Sequence, residues 1–415
     1  MTPALPPLSP FDPALPLERA HTLPASWYTD PAVHAAERTA IFGRSWQFVG
    51  RTEQVAEPGQ YVTADVAGEP VLAVRGDDGE LRAFFNVCRH RASPILNDAA
   101  GCVGKLRCRY HGWTYDLAGR LKGTPEFDGV CDFNKDTNGL VPVGGVEVFG
   151  PWVWVRVETP SEAPDTYFYP FTGDLTPRPP LRAGEGVFKS ETQSGETGAS
   201  SSAVVGVRER SAVEHPISGS ERGPGGEVSN LLWHARRSYD LACNWKVYVD
   251  NYLDGGYHVN TVHPALAGAI DYQQYRTDVF PRCSVQTSPL KAAGGAVGAT
   301  RTGDAAYWWL WPNFMVNIYS GVMDTNLVLP LAPDRCRVIF DFYFAAGTDE
   351  AFIANSVAVA DEVQAEDVLI CEQVQRGLGS RSYTTGRFSV KRENGGYAFH
   401  RLVAEAVGVP PSGGL

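Results

Sequence analysis

Two periodicities of hydrophobic and polar residues alternate along the chain. After a proline-rich start over residues 1–24, Asp30-Pro31 reads as a helix cap followed by proline at the first helical position. Val33, Ala36, Ile41 and Phe42 then give a helical stripe that stops at Gly43. From Trp46 to Thr159 the period falls to two, the mark of half-buried strands. Tyr61–Val66 alternates, Val71–Arg75 is a strand closed by the turn Gly76-Asp77-Asp78-Gly79, and Leu81–Val87 returns. Gly112–Asp116 and Val146–Val157 complete an all-β unit. Residues 160–190 are proline-rich, and 191–227 is a Ser/Gly/Glu-rich stretch with no apolar period, which reads as a disordered insertion or lid. Order returns with a strand over Trp233–Leu241 and a helix opened by Asn244, with Trp245, Val249, Tyr252 and Leu253 facing inward. Residues 305–344 alternate again and predict at least three antiparallel strands. A long helix follows, with Thr348 as its cap, running to Leu378 before Gly379. The pattern predicts an α+β protein: an N-terminal segment over 1–45, an all-β domain over 46–159 and a mixed domain over 160–415, against which the N-terminal segment packs.

Composition narrows the function classes. With 415 residues, 43% hydrophobic and 20% charged, the chain is globular and long enough for two domains. A formal charge of −11 argues against a nucleic-acid partner. No apolar run reaches the ~20 residues that would span a bilayer, and the expected location is cytoplasmic. Six of the eight cysteines are scattered without a disulfide framework and read as buried thiols.

The other two cysteines carry chemistry. Cys88-x-His90 and Cys108-x-x-His111 each pair one thiolate with one imidazole. Two Cys on one iron and two His on the other suit a [2Fe–2S] cluster. Zinc is the rival, although its fingers usually pair Cys with Cys and His with His. His258 and His263, five apart near a helix end, form a second candidate pair. With one carboxylate they make a 2-His-1-carboxylate site for ferrous iron with positions left open. On the long helix, Asp367 lies four after Val363, three before Ile370 and seven before Val374, hence on the apolar face. A carboxylate there is costly unless paired or bound to a metal. Glu366 is the second choice, and Asp361, Glu362 and Glu372 the remaining ones. Tyr307, Trp308, Trp309, Trp311, Phe314 and Tyr319 offer an aromatic cage for a quaternary ammonium group, although alternate members serve equally to fill a sheet core.

These residues carry a resemblance. Cys88-x-His90 and Cys108-x-x-His111, followed by Asn244-Trp245-Lys246, Asp250-Asn251-Tyr252, Tyr257-His258 and His263, resemble the α subunit of Rieske non-haem iron oxygenases, over nearly the whole chain except 191–227. The stretches around Asn244–Pro264 and Asp367–Leu378 resemble the branch containing choline monooxygenase and other quaternary-ammonium hydroxylases. The resemblance implies a Rieske domain, then a helix-grip (START-like) catalytic domain with an antiparallel sheet. It implies a [2Fe–2S] cluster on Cys88, His90, Cys108 and His111, and mononuclear Fe(II) on His258, His263 and Asp367. It also implies electrons from NAD(P)H through a separate flavin or iron–sulfur reductase, O2 and a small organic substrate, and a homotrimer in which one subunit's cluster faces the next subunit's iron. The implied activity is monooxygenation. The alternatives are an aromatic-ring dihydroxylating dioxygenase, an electron carrier without oxygenase activity and a zinc-stabilised binding protein. One departure stands out. The family places a bridging carboxylate three residues before the first iron histidine, where this chain has Gly255. Asp254 is the substitute, with Asp250 a further candidate, since Gly255-Gly256 permits an altered backbone path.

Overall fold

The computed structural model describes residues 10–171, 231–291 and 295–408. The expected insertion at 191–227 lies outside them.

Ten strands build the first half: β1 (Gln47–Arg51), β2 (Gln60–Val66), β3 (Glu69–Arg75), β4 (Leu81–Phe85), β5 (Ala100–Cys102), β6 (Leu106–Arg107), β7 (Thr114–Tyr115), β8 (Leu121–Gly123), β9 (Gly145–Phe149) and β10 (Trp152–Arg156). They form three small antiparallel sheets in the orders β4-β3-β2-β5, β1-β10-β9 and β6-β7-β8. The β3–β4 hairpin turns where the glycines and aspartates predicted it, closed by Gly76 N–H to the Glu80 carbonyl at 2.8 Å. One core in this half gathers Leu72, Phe84, Trp113 and Tyr115 under the two Cys/His loops.

The second half is one seven-stranded antiparallel sheet: β11 (Leu231–Leu241), β12 (Arg276–Val279), β13 (Cys283–Pro289), β14 (Asp304–Leu310), β15 (Phe314–Tyr319), β16 (Val322–Ala332) and β17 (Arg335–Ala345), in the order β11-β17-β16-β15-β14-β13-β12. The stretch expected to hold at least three strands holds four. The long helix Glu350–Leu378 packs over this sheet, and the shorter helices Trp245–Tyr252 and Asn394–Ala406 pack beside it. Its cap is Asp349, whose side chain accepts from Ala351 N and Phe352 N at 3.0 and 3.1 Å. Thr348 instead donates its hydroxyl to the Ala345 carbonyl at 2.7 Å, one residue too early to cap. No helix among the described residues is long and apolar enough to cross a membrane.

The two halves share a core. Phe48, Trp152 and Trp154 from the β1-β10-β9 sheet pack against Phe314 of β15, with ring centroids 5.1–5.2 Å apart. Arg51 lies 4.0 Å over the Trp233 ring, and buried Asp341 takes a bidentate pair from Arg236. The N-terminal helix Pro31–Glu37, capped by Asp30 through Ala32 N at 2.8 Å, sends Glu37 into the second half. There it meets Lys246 Nζ at 2.5 Å and Trp245 Nε1 at 2.8 Å, all three side chains buried. A buried pair of this kind is disruptive to break, because the orphaned charge has no water to turn to.

Candidate metal centres and cavity

The first centre is built by tight turns. Cys88 N–H bonds the Ser93 carbonyl at 2.8 Å and Ala92 N–H bonds the Cys88 carbonyl at 3.0 Å. In the second loop, Cys108 N–H reaches the Trp113 carbonyl at 2.9 Å, and Gly112 N–H the Cys108 carbonyl at 3.1 Å. Gly112 sits at φ +74°, a conformation that favours glycine. The thiols of Cys88 and Cys108 are buried, His90 is half-buried and His111 is exposed. The two imidazoles stand 4.5 Å apart, and His90 stacks on Trp113 at 4.9 Å. Tyr115 Oη lies 3.5 Å from Cys88 Sγ and accepts from Arg89 N–H at 3.1 Å. Burial, followed by the charges of His111 and Arg91, lowers the His90 pKa, which favours the neutral ring a metal requires. Its Nδ1 is buried with no hydrogen-bond partner. Among the described residues, the set whose three ligand atoms close within 4.8 Å of one another is elsewhere, so these four side chains do not converge on a point. An orphaned imidazole nitrogen, two buried thiols and that wider spread fit a two-iron cluster better than one zinc ion.

The tighter set is His258, His263 and Asp367. Asn244 caps the helix Trp245–Tyr252 through Lys246 N at 3.0 Å, and the chain then turns through Asp254-Gly255-Gly256 to deliver His258. His263 ends the short helix Val259–Val262, just before Pro264. Asp367 comes from the long helix, more than a hundred residues on. Its Oδ1 is 3.0 Å from His263 Nε2 and 3.8 Å from His258 Nε2, and it accepts from Asn251 Nδ2 at 2.7 Å. The buried side of that helix runs through Ser356, Gln364 and Cys371; Val374, expected on it, is 45% exposed.

Each histidine has its other nitrogen held. His258 Nδ1 is 2.5 Å from Asp254 Oδ2, and His263 Nδ1 is 2.7 Å from Glu366 Oε2. Carboxylates in this position fix the ring and its tautomer. Glu366, the second choice as a ligand, therefore sits on the far side of His263 from Asp367. Asp361 accepts from the Tyr239 hydroxyl, and Glu372 from Ala242 N at 2.9 Å. Burial opposes charging His263, but Asp367 and Glu366 outweigh it and raise its pKa. Such a pocket favours a cation on Nε2, and the donor set fits ferrous iron.

The Asp254 carboxylate also accepts from Tyr257 N and His258 N, both at 3.0 Å. Gly255 explains why the acid sits there. A Cβ on Gly255 would lie 2.1 Å from the Arg392 carbonyl oxygen, and its φ is +70°. No side chain fits at that position. Asp250 is committed elsewhere: it accepts from Tyr28 Oη at 2.7 Å and from His400 Nε2 at 2.8 Å. His400 Nδ1 accepts from Leu23 N, so its proton lies on Nε2 and points at Asp250. Asp250 thus ties the N-terminal segment to the helix Asn394–Ala406.

A cavity of ≈ 140 Å³ opens beside the triad. It is smaller than pockets for drug-sized ligands, at roughly 300–1,000 Å³. Tyr252, Tyr275, Tyr307, Tyr319 and Phe340 line it, together with Asp324 and Arg301. Of the six aromatics expected to form a cage, Tyr307 and Tyr319 reach it. On β15 the strand period puts Asn317 and Tyr319 on the cavity face and Phe314 on the other. Trp309 and Trp311 pack on Phe399, and Trp308 stacks with Phe280. Tyr252 and Tyr275, missed in the sequence, come from outside the aromatic-rich strands. Asn251 was also missed as a partner of Asp367, although it lies seven residues before His258. Burial raises the Asp324 pKa, against the opposing charge of Arg301.

Comparison with known proteins meets the same two halves. The model of the Rieske [2Fe–2S] domain matches residues 45–134, and that of the ring hydroxylating alpha subunit (catalytic domain) matches residues 228–408. Chloroplastic choline monooxygenase of Arabidopsis thaliana is 38% identical over 396 residues, covering 95% of this chain and 84% of the relative. The carnitine monooxygenase oxygenase subunit of Escherichia coli (strain K12) is 27% identical over 403 residues, 94% of each chain. A solved structure of the quaternary ammonium Rieske monooxygenase CntA with an inhibitor superposes with a TM-score of 0.76 at 26% identity, over 94% of this chain and 96% of that one. Naphthalene 1,2-dioxygenase from Rhodococcus sp., at 16% identity and a TM-score of 0.67, shares the fold.

Proposed function

Because the chain belongs to the Rieske-type ring-hydroxylating oxygenases, enzymes that use O2 on a small substrate, we propose that it monooxygenates a quaternary ammonium compound of the choline type. The observation that carries this reading is the cavity: among the described residues, five tyrosines (Tyr248, Tyr252, Tyr275, Tyr307 and Tyr319) and a buried carboxylate, Asp324, line it beside His258, His263 and Asp367. Electron-rich ring faces and one carboxylate suit an alkylated cation that cannot itself donate hydrogen bonds. Arabidopsis choline monooxygenase, 38% identical, supports the same class.

In this reading Cys88, His90, Cys108 and His111 hold the [2Fe–2S] cluster, and His258, His263 and Asp367 hold Fe(II). When bound, the cluster supplies single electrons and the ferrous ion activates dioxygen. Asp254 and Glu366 hold the Nδ1 protons of His258 and His263, which presents both Nε2 lone pairs to one point. Asn251 pins Asp367 Oδ1 so that the carboxylate keeps its orientation. The tyrosines exclude water from the reacting carbon and hold the cationic end of the substrate.

A separate NAD(P)H-dependent reductase feeds the cluster, and three copies form a ring in which His90 or His111 of one chain approaches Asp254 of the next. The exposure of His111 and Tyr110 at the loop tips, and of Tyr257 beside Asp254, supports such a contact. The test is coupled O2 uptake with purified oxygenase and reductase, across choline-like cations, betaines and aromatic hydrocarbons. Choline-like cations should drive uptake matched by hydroxylated product; matched uptake with aromatics alone would favour a ring dioxygenase and overturn the reading.

A further inference from the structure

Among the described residues of the cavity wall, two side chains have a buried polar atom without a hydrogen-bond partner, the Tyr307 hydroxyl and the Gln364 amide, and the amide is the one beside the triad on the long helix. Gln364 is 1% exposed and lines the cavity. Its Oε1 accepts from the Tyr248 hydroxyl at 2.7 Å. Its Nε2 is buried without a hydrogen-bond partner. Such a donor is costly to leave unmet, and a ligand acceptor in the cavity would meet it. Gln364 lies three residues before Asp367 on the same helix, so the donor stands one turn from the metal-binding triad.

The charges of the cavity say what kind of acceptor it is. Among the described residues lining it, Arg301 is the only guanidinium or ammonium, and its charge is shared with Asp324. Its NH1 donates to Ser356 Oγ and to the Thr300 carbonyl, its NH2 is 3.9 Å from Asp324 Oδ1, and its plane lies 4.9 Å over the Tyr319 ring. A substrate carboxylate would enter beside Asp324 and Asp367, and the one guanidinium among the described lining residues already faces Asp324. A neutral hydroxyl avoids that penalty and can accept from the Gln364 amide.

We infer that Gln364 Nε2 donates a hydrogen bond to a substrate hydroxyl, so that the site selects a quaternary ammonium alcohol over a quaternary ammonium carboxylate or an oxygen-free cation. This rests on the quaternary-ammonium reading above and adds orientation to it. The hydroxyl-bearing carbon is turned towards His258, His263 and Asp367, and the ammonium towards the tyrosines and Asp324.

Anaerobic titration calorimetry on the holoenzyme, where no turnover occurs, tests it with choline, ethyltrimethylammonium (the same cation without the hydroxyl) and glycine betaine. Wild type should bind choline roughly tenfold more tightly than ethyltrimethylammonium, about what one well-placed neutral hydrogen bond gives, and glycine betaine most weakly. Gln364→Met, close in volume, should erase the gap between the first two while leaving ethyltrimethylammonium affinity unchanged. Equal affinities in wild type, or a gap that survives in Gln364→Met, would overturn the assignment. Should that variant fail to fold, the wild-type pair decides alone. If none of the three cations binds, the quaternary-ammonium reading fails as well; if they bind without discrimination, only the role of Gln364 does.

Discussion

The two candidate metal centres differ in how they are made. The Cys/His loops are local: each ligand pair lies within four residues, tight turns shape the loops, and the ends stand at the surface. The His258/His263/Asp367 site is non-local: its carboxylate arrives from a helix 104 residues beyond His263, with His263 buried and His258 and Asp367 half-buried. A centre that passes electrons to another protein needs an accessible edge. A centre that works on a small molecule needs walls, and walls come from distant parts of the chain. The Cys/His centre relies on backbone turns for its shape, whereas the His/Asp centre relies on a shell of side chains: Asp254, Glu366 and Asn251.

The comparison can be broken most sharply at the ligands. Asp367→Ala should abolish oxygenation and mononuclear iron while the visible cluster spectrum stays intact; Cys108→Ser should do the reverse for the spectrum. Metal analysis with absorption spectroscopy reads both, and loss of both centres in either variant would show that the sites are not independent. Next in size is Asp254→Asn, which keeps the shape of the acid and removes its charge. Both metals should remain, with electron delivery to the mononuclear site slowed by about 10–100-fold in single-turnover kinetics. Unchanged turnover would remove Asp254 from the electron route.

Gly255→Ala asks whether the turn or the acid matters more. The new Cβ meets the Arg392 carbonyl at 2.1 Å at a positive φ, so stability should fall by about 2–3 kcal/mol in denaturant melts. The cluster spectrum, set by local turns in the other half, should hold in the folded fraction. The smallest effect belongs to Asp78→Asn, in the turn of the β3–β4 hairpin, whose contacts are with Arg82 and Glu80. Hydrogen bonds from Arg82 and from Glu80 N pull the Asp78 pKa down to about 2. The stabilising contribution is therefore complete above the ordinary carboxylate value of 3.8 and is lost as pH falls through about 2. The variant should flatten that part of the acid-unfolding curve only slightly, since the pair is solvent-screened, and should leave both metals in place.

Legibility in the sequence followed the same division. The hairpin at Gly76–Gly79, the two Cys/His loops and the cap at Asp30 are local and could be read off, because turns and caps are set by neighbours in the chain. The long helix was legible in extent but not in cap: Thr348 and Asp349 are both good capping residues, and only the backbone geometry at 349 separates them. The aromatic cage was read one strand at a time, which drew in Trp309, Trp311 and Phe314. These fill the core, while the cavity draws one or two residues from each of several strands and helices.

By itself, the sequence determined the two-part α+β organisation, the residue types in both candidate centres and the family to which the chain belongs, because spacing within a loop or a helix survives without knowledge of the fold. The tertiary structure alone decided that Glu366 stands behind His263, that Asp250 joins Tyr28 and His400, and that Gly255 has no room for an acid beside the Arg392 carbonyl. Each of these is a contact between segments far apart in the chain, and such contacts are fixed by packing, for which local spacing carries no signal.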